Sequence, residues 1–340
     1  MTNQTMRIVL LLIIFIHGLI HLLGFVKGMG SKEVKELTLP ISKPMGFLWL
    51  TASILFLTLG ILQLFHSKYD WLVGFIAVVL SQMLVLLFWK DAKFGTLPNL
   101  LLLLVSITSY GQFRFEESVE EQTKQLVQQN AIQENKIMHE NDLQQLPAPV
   151  KNWLRNSGAV GQPFITNGKV LQKAALKMKP EQEDWLHATA THYATIATPA
   201  FIWTVDVSMN PLLFALGRDT FENGKGEMLI KMNAIVTVVN EKGEKMDEGS
   251  LQRYLGEMVW FPSLALSPFI TWEQVDDYTA KATMTYKGTR GSGTFHFNAN
   301  GEVVKFTALR FMGNDAMAKR HEWTMNITDY KTFEKIRVPS

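Results

Sequence analysis

The chain has 340 residues, 47% of them hydrophobic and 19% charged, with no cysteine and a formal net charge of +2. Residues 1–113 hold eight Lys/Arg and four Asp/Glu, whereas residues 114–340 hold 25 and 27, a net +4 followed by a net −2. That split excludes a single soluble globule, a disordered chain and a basic nucleic-acid binder, and the lack of cysteine excludes disulfides, thiolate nucleophiles and Cys-ligated metal centres.

Four apolar runs fill the first third: 8–26, 45–65, 71–89 and 94–111. Each is close to the roughly 20 helical residues that cross a hydrocarbon layer about 30 Å thick, so residues 1–111 read as a four-span transmembrane domain. Trp49, Trp71, Trp89, Phe94 and Tyr110 stand where interfacial anchors belong. The first run follows Arg7 but is long for a signal peptide and has no small-residue cleavage site after it, so it reads as a retained span. Lys27, Lys32, Lys35, Lys43, Lys90 and Lys93 fall in two short loops, against Arg7, Lys68, Arg114 and Lys124 on the other side. Six against four places the two loops in the cytoplasm and the C-terminal part outside it.

Within the first span, His17 and His21 are one helical turn apart, and Gly24 and Gly28 extend the same stripe. Ionisable residues at membrane depth point to function, here a metal, haem or proton site. The competing reading is a close-packed helix face, with small residues admitting a neighbour and neutral imidazoles hydrogen-bonding across it. No second histidine pair completes a bis-histidine haem site, and His66 joins only if it lies on the same side. Gln63, Ser81 and Gln82 are further interhelical glue.

Residues 112–146 are polar and lack glycine, and read as a helical or flexible stalk continuing from the fourth span. A short helix after Pro147 and Pro149 stops before Gly158. The apolar period then falls to two. Val170, Ala174, Leu176 and Met178 alternate with Leu171, Lys173, Ala175, Lys177 and Lys179; Phe201, Trp203, Val205, Val207 and Met209 alternate with Ile202, Thr204, Asp206 and Ser208. With turn signals at Asn223-Gly224, Lys242-Gly243, Lys287-Gly288 and Asn300-Gly301, this predicts about ten antiparallel strands between 168 and 330. One helix is predicted over 248–259, capped by Asp247. The fold class is therefore α+β: a four-helix transmembrane bundle and, over 147–340, a curved antiparallel sheet with an inserted helix. The apolar sheet face, rich in Trp203, Phe261, Met284, Phe295, Phe306 and Trp323, is either filled by that helix and the loop after it or left as a greasy cavity.

Catalytic and cofactor motifs are absent: no nucleophile elbow, phosphate loop, zinc-protease or dinucleotide fingerprint occurs, and no cofactor is expected. Asp247, Glu248, Glu257, Glu273, Asp276 and Asp277 form a run of acids that serve either as general acid/base groups or as caps and solvated loops. The densest stretch is QRYLGEMVWFPSLALSPFITWEQVDD. There Arg253 and Glu257 are spaced one turn apart, and Trp260-Phe261-Pro262 leaves the helix.

The stretches LPAPVKNWLRNSGAVGQP, LQRYLGEMVWFPSLALSPFITWEQVDD and IRVPS, with HGLIHLLGF and WKDAKFGTLPN in the membrane part, resemble an uncharacterised family of bacterial multi-pass membrane proteins, a domain of unknown function. The polar domain is similar to lipoprotein-carrier folds, half-open antiparallel barrels with a helix in the mouth. That resemblance, with the aromatic sheet face and the four-span anchor, points to a membrane-anchored extracytoplasmic module that binds a lipid, acyl chain or lipoprotein segment, and the sequence offers Trp203, Arg253, Glu257, Trp260, Phe261, Met284 and Trp323 as candidates on the apolar face or at its mouth. Relatives of this kind continue past IRVPS by two strands, which here would leave a sheet edge unpaired. Two alternatives stand beside the lipid reading: a scaffold or regulator that binds a protein partner, and a membrane enzyme that uses His17/His21 or Glu257.

Overall fold

The computed structural model describes residues 3–31, 33–129, 136–177, 181–210 and 213–340. The expectations for Lys32, Met178 and Lys179 lie outside these, as does part of the stalk, 130–135. The chain divides into two compact units, one of Met1–Ser118 with Ser208–Phe214 and Met232–Val236, the other of the remainder.

The first unit is helical. The charge-free runs form α1 (Asn3–Gly28), α2 (Lys43–Leu64) and α3 (Asp70–Leu87), then a single turn α4 (Trp89–Ala92), a 3-10 turn (Lys93–Gly95) and α5 (Thr96–Gln129). Four helical segments are long and apolar enough to cross a membrane: Gln4–Gly28, Lys43–Leu64, Asp70–Leu87 and Trp89–Gln128. Pro44 starts α2 and Asp70 lies in the first turn of α3, both suited to helix N-termini. Arg7 donates to the Gln63 and Leu64 carbonyls at 3.0 and 2.9 Å, capping the end of α2. The glycine stripe is a packing seam: a Cβ on Gly24 would lie 2.2 Å from Trp49, and Gly28 meets Gly46 backbone to backbone. The two lysine-bearing loops are tied together, because Asp91 accepts from Thr38 N, Thr38 Oγ1 and Leu39 N. The charge boundary near 113 falls inside α5, which runs unbroken to Gln129.

The second unit is α+β, and its antiparallel sheets are not closed. After α6 (Ala148–Asn156) come β1 (Asn167–Leu176), β2 (Leu186–Thr195), β3 (Ala200–Asn210), β4 (Leu213–Glu222), β5 (Lys225–Met232) and β6 (Val236–Lys242), a six-stranded meander. Helix α7 (Glu244–Gly256) and two 3-10 turns, Glu257–Trp260 and Pro262–Leu266, lead to β7 (Ile270–Asp276), β8 (Thr279–Tyr286), β9 (Thr289–Phe297), β10 (Val303–Phe311) and β11 (Arg320–Asn326), a five-stranded meander. Strands β12 (Tyr330–Phe333) and β13 (Ile336–Pro339) make a separate hairpin that contains the IRVPS stretch. Asn223-Gly224 and Lys287-Gly288 both adopt positive φ at the tips of the β4–β5 and β8–β9 hairpins, as two-residue turns require. Lys242-Gly243 instead opens α7. Gly243, at φ 113°, is its N-cap, so the helix begins about a turn before its expected start. Asp247 is consequently no cap: its carboxylate accepts from Gly226 N and Lys225 Nζ at 2.8 and 2.9 Å.

The period-two reading holds along β1, whose residues alternate between exposed and half-buried. It fails at the start of β3, where Ala200, Phe201 and Ile202 are all buried. The C-terminal part of α5 lays Val119 and Leu126 on Ala200 and Ile202, covering the face that alternation assigned to solvent. The inner face is filled. Leu251, Tyr254, Leu255 and Met258 join Phe201, Met284, Phe295 and Phe306 in one core, every member of this group at most 1% exposed. Close contact needs Gly293, where a Cβ would lie 2.1 Å from Phe306.

Candidate functional site

Polar side chains converge at two places, one in each unit. In the β-rich unit the convergence is charged. Arg253, in the last turn of α7, donates from Nη1 to Asp219 Oδ2 at 2.6 Å and from Nε to Glu257 Oε1 at 2.8 Å. Its guanidinium lies 4.4 Å from the Trp203 ring centroid and 5.4 Å from that of Phe201. Trp203 in turn donates from Nε1 to Gln172 at 2.8 Å. Glu257 Oε2 is 3.5 Å from Nε2 of His192, an imidazole with no exposed surface, walled by Phe201, Trp260 and Phe261. Neither His192 ring nitrogen, nor Glu257 Oε2, has a hydrogen-bond partner among the described residues. Burial holds the His192 imidazole below the ordinary histidine range and pushes the Asp219 carboxyl above the carboxylate range. Burial also works against the Arg253 charge, but Glu257 and Asp219 outweigh it and hold that group up.

Five sequence-named residues therefore meet here: Trp203, Arg253, Glu257, Trp260 and Phe261. Met284 does not join them; it is fully buried in β8, opposite Ile270 and Gly291. Trp323 stands apart on β11, against Phe306 and under the Arg310 guanidinium. The run of acids is dispersed as well. Asp247 binds the β5 end, Glu248 pairs with Arg320 at 2.7 Å, and Asp276 accepts from Tyr278 N. The two missed members, His192 and Asp219, carried a signal. In LHATATHYAT, His192 falls in the inward row with Ala188, Ala190 and Ala194, and in LFALGRDTFE Asp219 falls in row with Ala215 and Phe221. A polar residue on an apolar row needs a partner: Asp219 has one in Arg253 of α7, and His192 has the Glu257 carboxylate at 3.5 Å, without a hydrogen bond.

In the helical unit the convergence is uncharged and lies inside the apolar helical segments. His21 Nδ1 is 2.8 Å from the His17 carbonyl, and His21 Nε2 is 2.9 Å from Ser81 Oγ. The Asn99 carboxamide touches His17 Nε2 at 2.9 Å and Ser81 Oγ at 3.0 Å, then Gln82 at 3.0 Å, and Gln82 reaches Thr96 at 3.2 Å. Helices α1, α3 and α5 are thus joined by one continuous chain of hydrogen bonds. Ser81 and Gln82 take the role the sequence suggested; Asn99 and Thr96 were missed, each a lone polar residue in an apolar run. His66 lies exposed in the turn after α2, away from the pair. Among the described residues no group of three or more His, Cys, Asp or Glu is placed to hold a metal ion.

Beside this network is a cavity of about 260 Å³. Ile20, Leu23, Leu37, Trp49, Val85 and Phe94 give it an apolar wall, and His17, His21, Glu36 and Asp91 are its ionisable members. Ile20, Leu23 and Phe94 are also exposed on the outside of the bundle, at 51%, 39% and 82%. The cavity is therefore bordered by side chains exposed on the outside of the bundle, at the end that carries the two tied loops. An apolar pocket with a few convergent polar groups is the usual form of a small-ligand site.

No curated protein and no solved structure matches the chain. A family model described as "Family of unknown function (DUF6544)" matches residues 136–340, which is the α6-to-β13 part together with the segment leading into it. The chain belongs to the DUF6544 family of unknown function.

Proposed function

We propose that this protein is a membrane-anchored binding protein that holds a lipid or other membrane-borne amphiphile in the cavity of its helical bundle and displays the DUF6544 part outside the cytoplasm. The observation that carries the reading is the cavity itself: apolar walls, a lipid-facing approach past Ile20, Leu23 and Phe94, and imidazoles inside. The aromatic face of the β-rich unit suits this role less well, since α7 and the turns after it already occupy it. The excess of lysine in the two tied loops supports this orientation, in which the cavity lies at the depth of the cytoplasmic leaflet.

The test uses a phospholipid with a photoreactive group in its acyl chain, crosslinked to the full chain in native membranes. Labelling is expected around Ile20, Leu23 and Phe94. It should be lost in Gly95→Leu, since a Cβ at Gly95 already lies 3.0 Å from Val85 and 3.7 Å from His17, so a larger side chain fills the cavity. Labelling spread evenly over all four spans, or unchanged in Gly95→Leu, defeats the reading. The orientation is checked separately: the sequence has no cysteine, so Thr332→Cys supplies a unique thiol, and an impermeant maleimide should reach it in intact cells.

A further inference from the structure

The hydrogen-bond chain in the bundle fixes its own protons, and that fixes what the cavity offers a ligand. His21 Nδ1 faces the His17 carbonyl at 2.8 Å, and a carbonyl only accepts, so Nδ1 carries the His21 proton. In a neutral imidazole Nε2 is then an acceptor. Its partner at 2.9 Å, Ser81 Oγ, must donate to it. Ser81 has one proton, so the Asn99 atom 3.0 Å away must be a donor, the carboxamide nitrogen. The same atom is 2.9 Å from His17 Nε2, which therefore accepts. Asn99 then turns its oxygen to Gln82, which turns its nitrogen to Asn99 and its oxygen to the Thr96 hydroxyl. Carboxamide oxygen and nitrogen have the same shape and are assigned from their partners, and turning both groups satisfies every contact without a charge. The opposite orientation needs a fourth proton and an imidazolium inside an apolar bundle, which is costly.

One group is left over. With Nε2 accepting, the His17 proton sits on Nδ1, which has no hydrogen-bond partner among the described residues and is not among the sealed polar atoms. His17 lines the cavity. Trp49 lines it too, and its indole N–H, which can only donate, is buried without an acceptor. Two donors are thus unmatched on residues of one apolar cavity, the indole N–H sealed and the imidazole N–H not, and no lysine or arginine lines that cavity.

We infer that the ligand of this cavity is an uncharged, carbonyl-bearing amphiphile whose carbonyl oxygen accepts from His17 Nδ1–H. This rests on the proposed membrane-ligand reading and narrows it. Anionic heads such as carboxylate and phosphate would find no cation among the residues that line the cavity. A carbonyl on an apolar body comes from two sources, the ester of an acylglycerol or the ring of an isoprenoid-type quinone.

The experiment counts molecules retained by the detergent-solubilised full chain in native mass spectrometry, with four probes: a diacylglycerol, its dialkyl ether analogue, a decyl benzoquinone and decylbenzene. The expected result is a roughly tenfold preference for one carbonyl compound over its carbonyl-free twin, and which pair shows it names the source. His17→Phe should bring that ratio to about one. His17→Asn, whose amide N–H stands near the position of Nδ1, should keep it. Equal retention of both members of each pair by the unsubstituted protein, or a preference that survives in His17→Phe, overturns the inference while leaving the membrane-ligand reading standing. If no probe is retained, or if retention is unchanged in Gly95→Leu, the membrane-ligand reading itself fails. Should His17→Phe not fold by circular dichroism, the comparison of paired probes on the unsubstituted protein still decides.

Discussion

Replacing Arg253 by Met removes the cation from the centre of the β-rich unit while keeping an apolar stem against Trp203. What remains is two carboxylates, Asp219 and Glu257, exposed by only 8% and 6% and stripped of contacts at 2.6 and 2.8 Å. Removing one partner from a buried ion pair costs about 3–5 kcal/mol, mostly because a desolvated charge is left alone. The two losses do not add in full, because an orphaned acid escapes part of the cost by taking up a proton, and Asp219 is already pushed up by burial. At about 2–4 °C per kcal/mol for a unit of this size, a loss of about 4 kcal/mol lowers the melting temperature by about 12 °C. The assay is thermal unfolding of the full chain in detergent, followed by tryptophan emission at pH 7.5. Two controls sharpen it. At pH 5.5 the deficit should shrink as the orphaned Asp219, already raised by burial, protonates. The triple variant Arg253→Met, Asp219→Asn, Glu257→Gln should recover about 2 kcal/mol, since no charge is left to desolvate. A drop below about 3 °C for Arg253→Met, or a triple variant as unstable as the single one, would refute the reasoning.

The buried imidazole gives a second expectation. Burial holds the folded His192 below its ordinary 6.5, so the unfolded chain binds the proton first. Stability is then fully present above pH 6.5 and is lost as pH falls through the folded value, while the raised Asp219 works in the opposite sense nearer its own range. His192→Leu should flatten the melting-temperature slope between pH 7 and 5, and an unchanged slope would show that another group sets it. In the bundle, Gly24→Ala places a Cβ 2.2 Å from Trp49, so α1 and α2 must separate. The cost of such overpacking is about 1–3 kcal/mol, and a variant that melts with the unsubstituted protein in detergent would disprove the seam.

Much of this architecture was legible because membrane burial and sheet burial leave simple periodic marks. A helix that must hide its backbone from lipid shows as a long charge-free run, and the four runs lie within the four spanning segments to a few residues. Type I′ turns need two residues that tolerate positive φ, so Asn223-Gly224 and Lys287-Gly288 could be read directly. What alternation could not foresee was a distant element on the outer face of a strand. Leu126 on α5 buries Ile202, and nothing local to FIWTVDVSM records this. The site was half legible for the same reason. Arg253 and Glu257 are four residues apart on one helix, so their pairing is local. Their partners His192 and Asp219 are supplied by β2 and β4, and only the topology brings them across. Asn99 was invisible because a single amide in an apolar segment shows its use only when His17 and Ser81 are seen beside it.

The two convergences also differ in what they leave to be done. Arg253 is matched by two carboxylates, and the positive Arg310, its own charge held down by burial, is felt by both acids, so the positive and negative groups of that cluster balance inside the protein. His192 contributes no charge while it stays neutral. The charges of this cluster are paired, although both His192 ring nitrogens and Glu257 Oε2 stay without a hydrogen bond: a charged ligand must break an existing ion pair to enter, at a cost comparable to the pair. The bundle network is neutral and, with its amides turned, satisfied to its last contact, so a ligand that touches it breaks nothing. It leaves one imidazole N–H on a residue that lines open space. Unmatched donors in an apolar pocket favour a partner that brings an acceptor and no charge, because the acceptor then gains bonds without a charge to desolvate. On the proposed reading, binding chemistry belongs to His17, and the ion pairs around Arg253 belong to the stability of the fold.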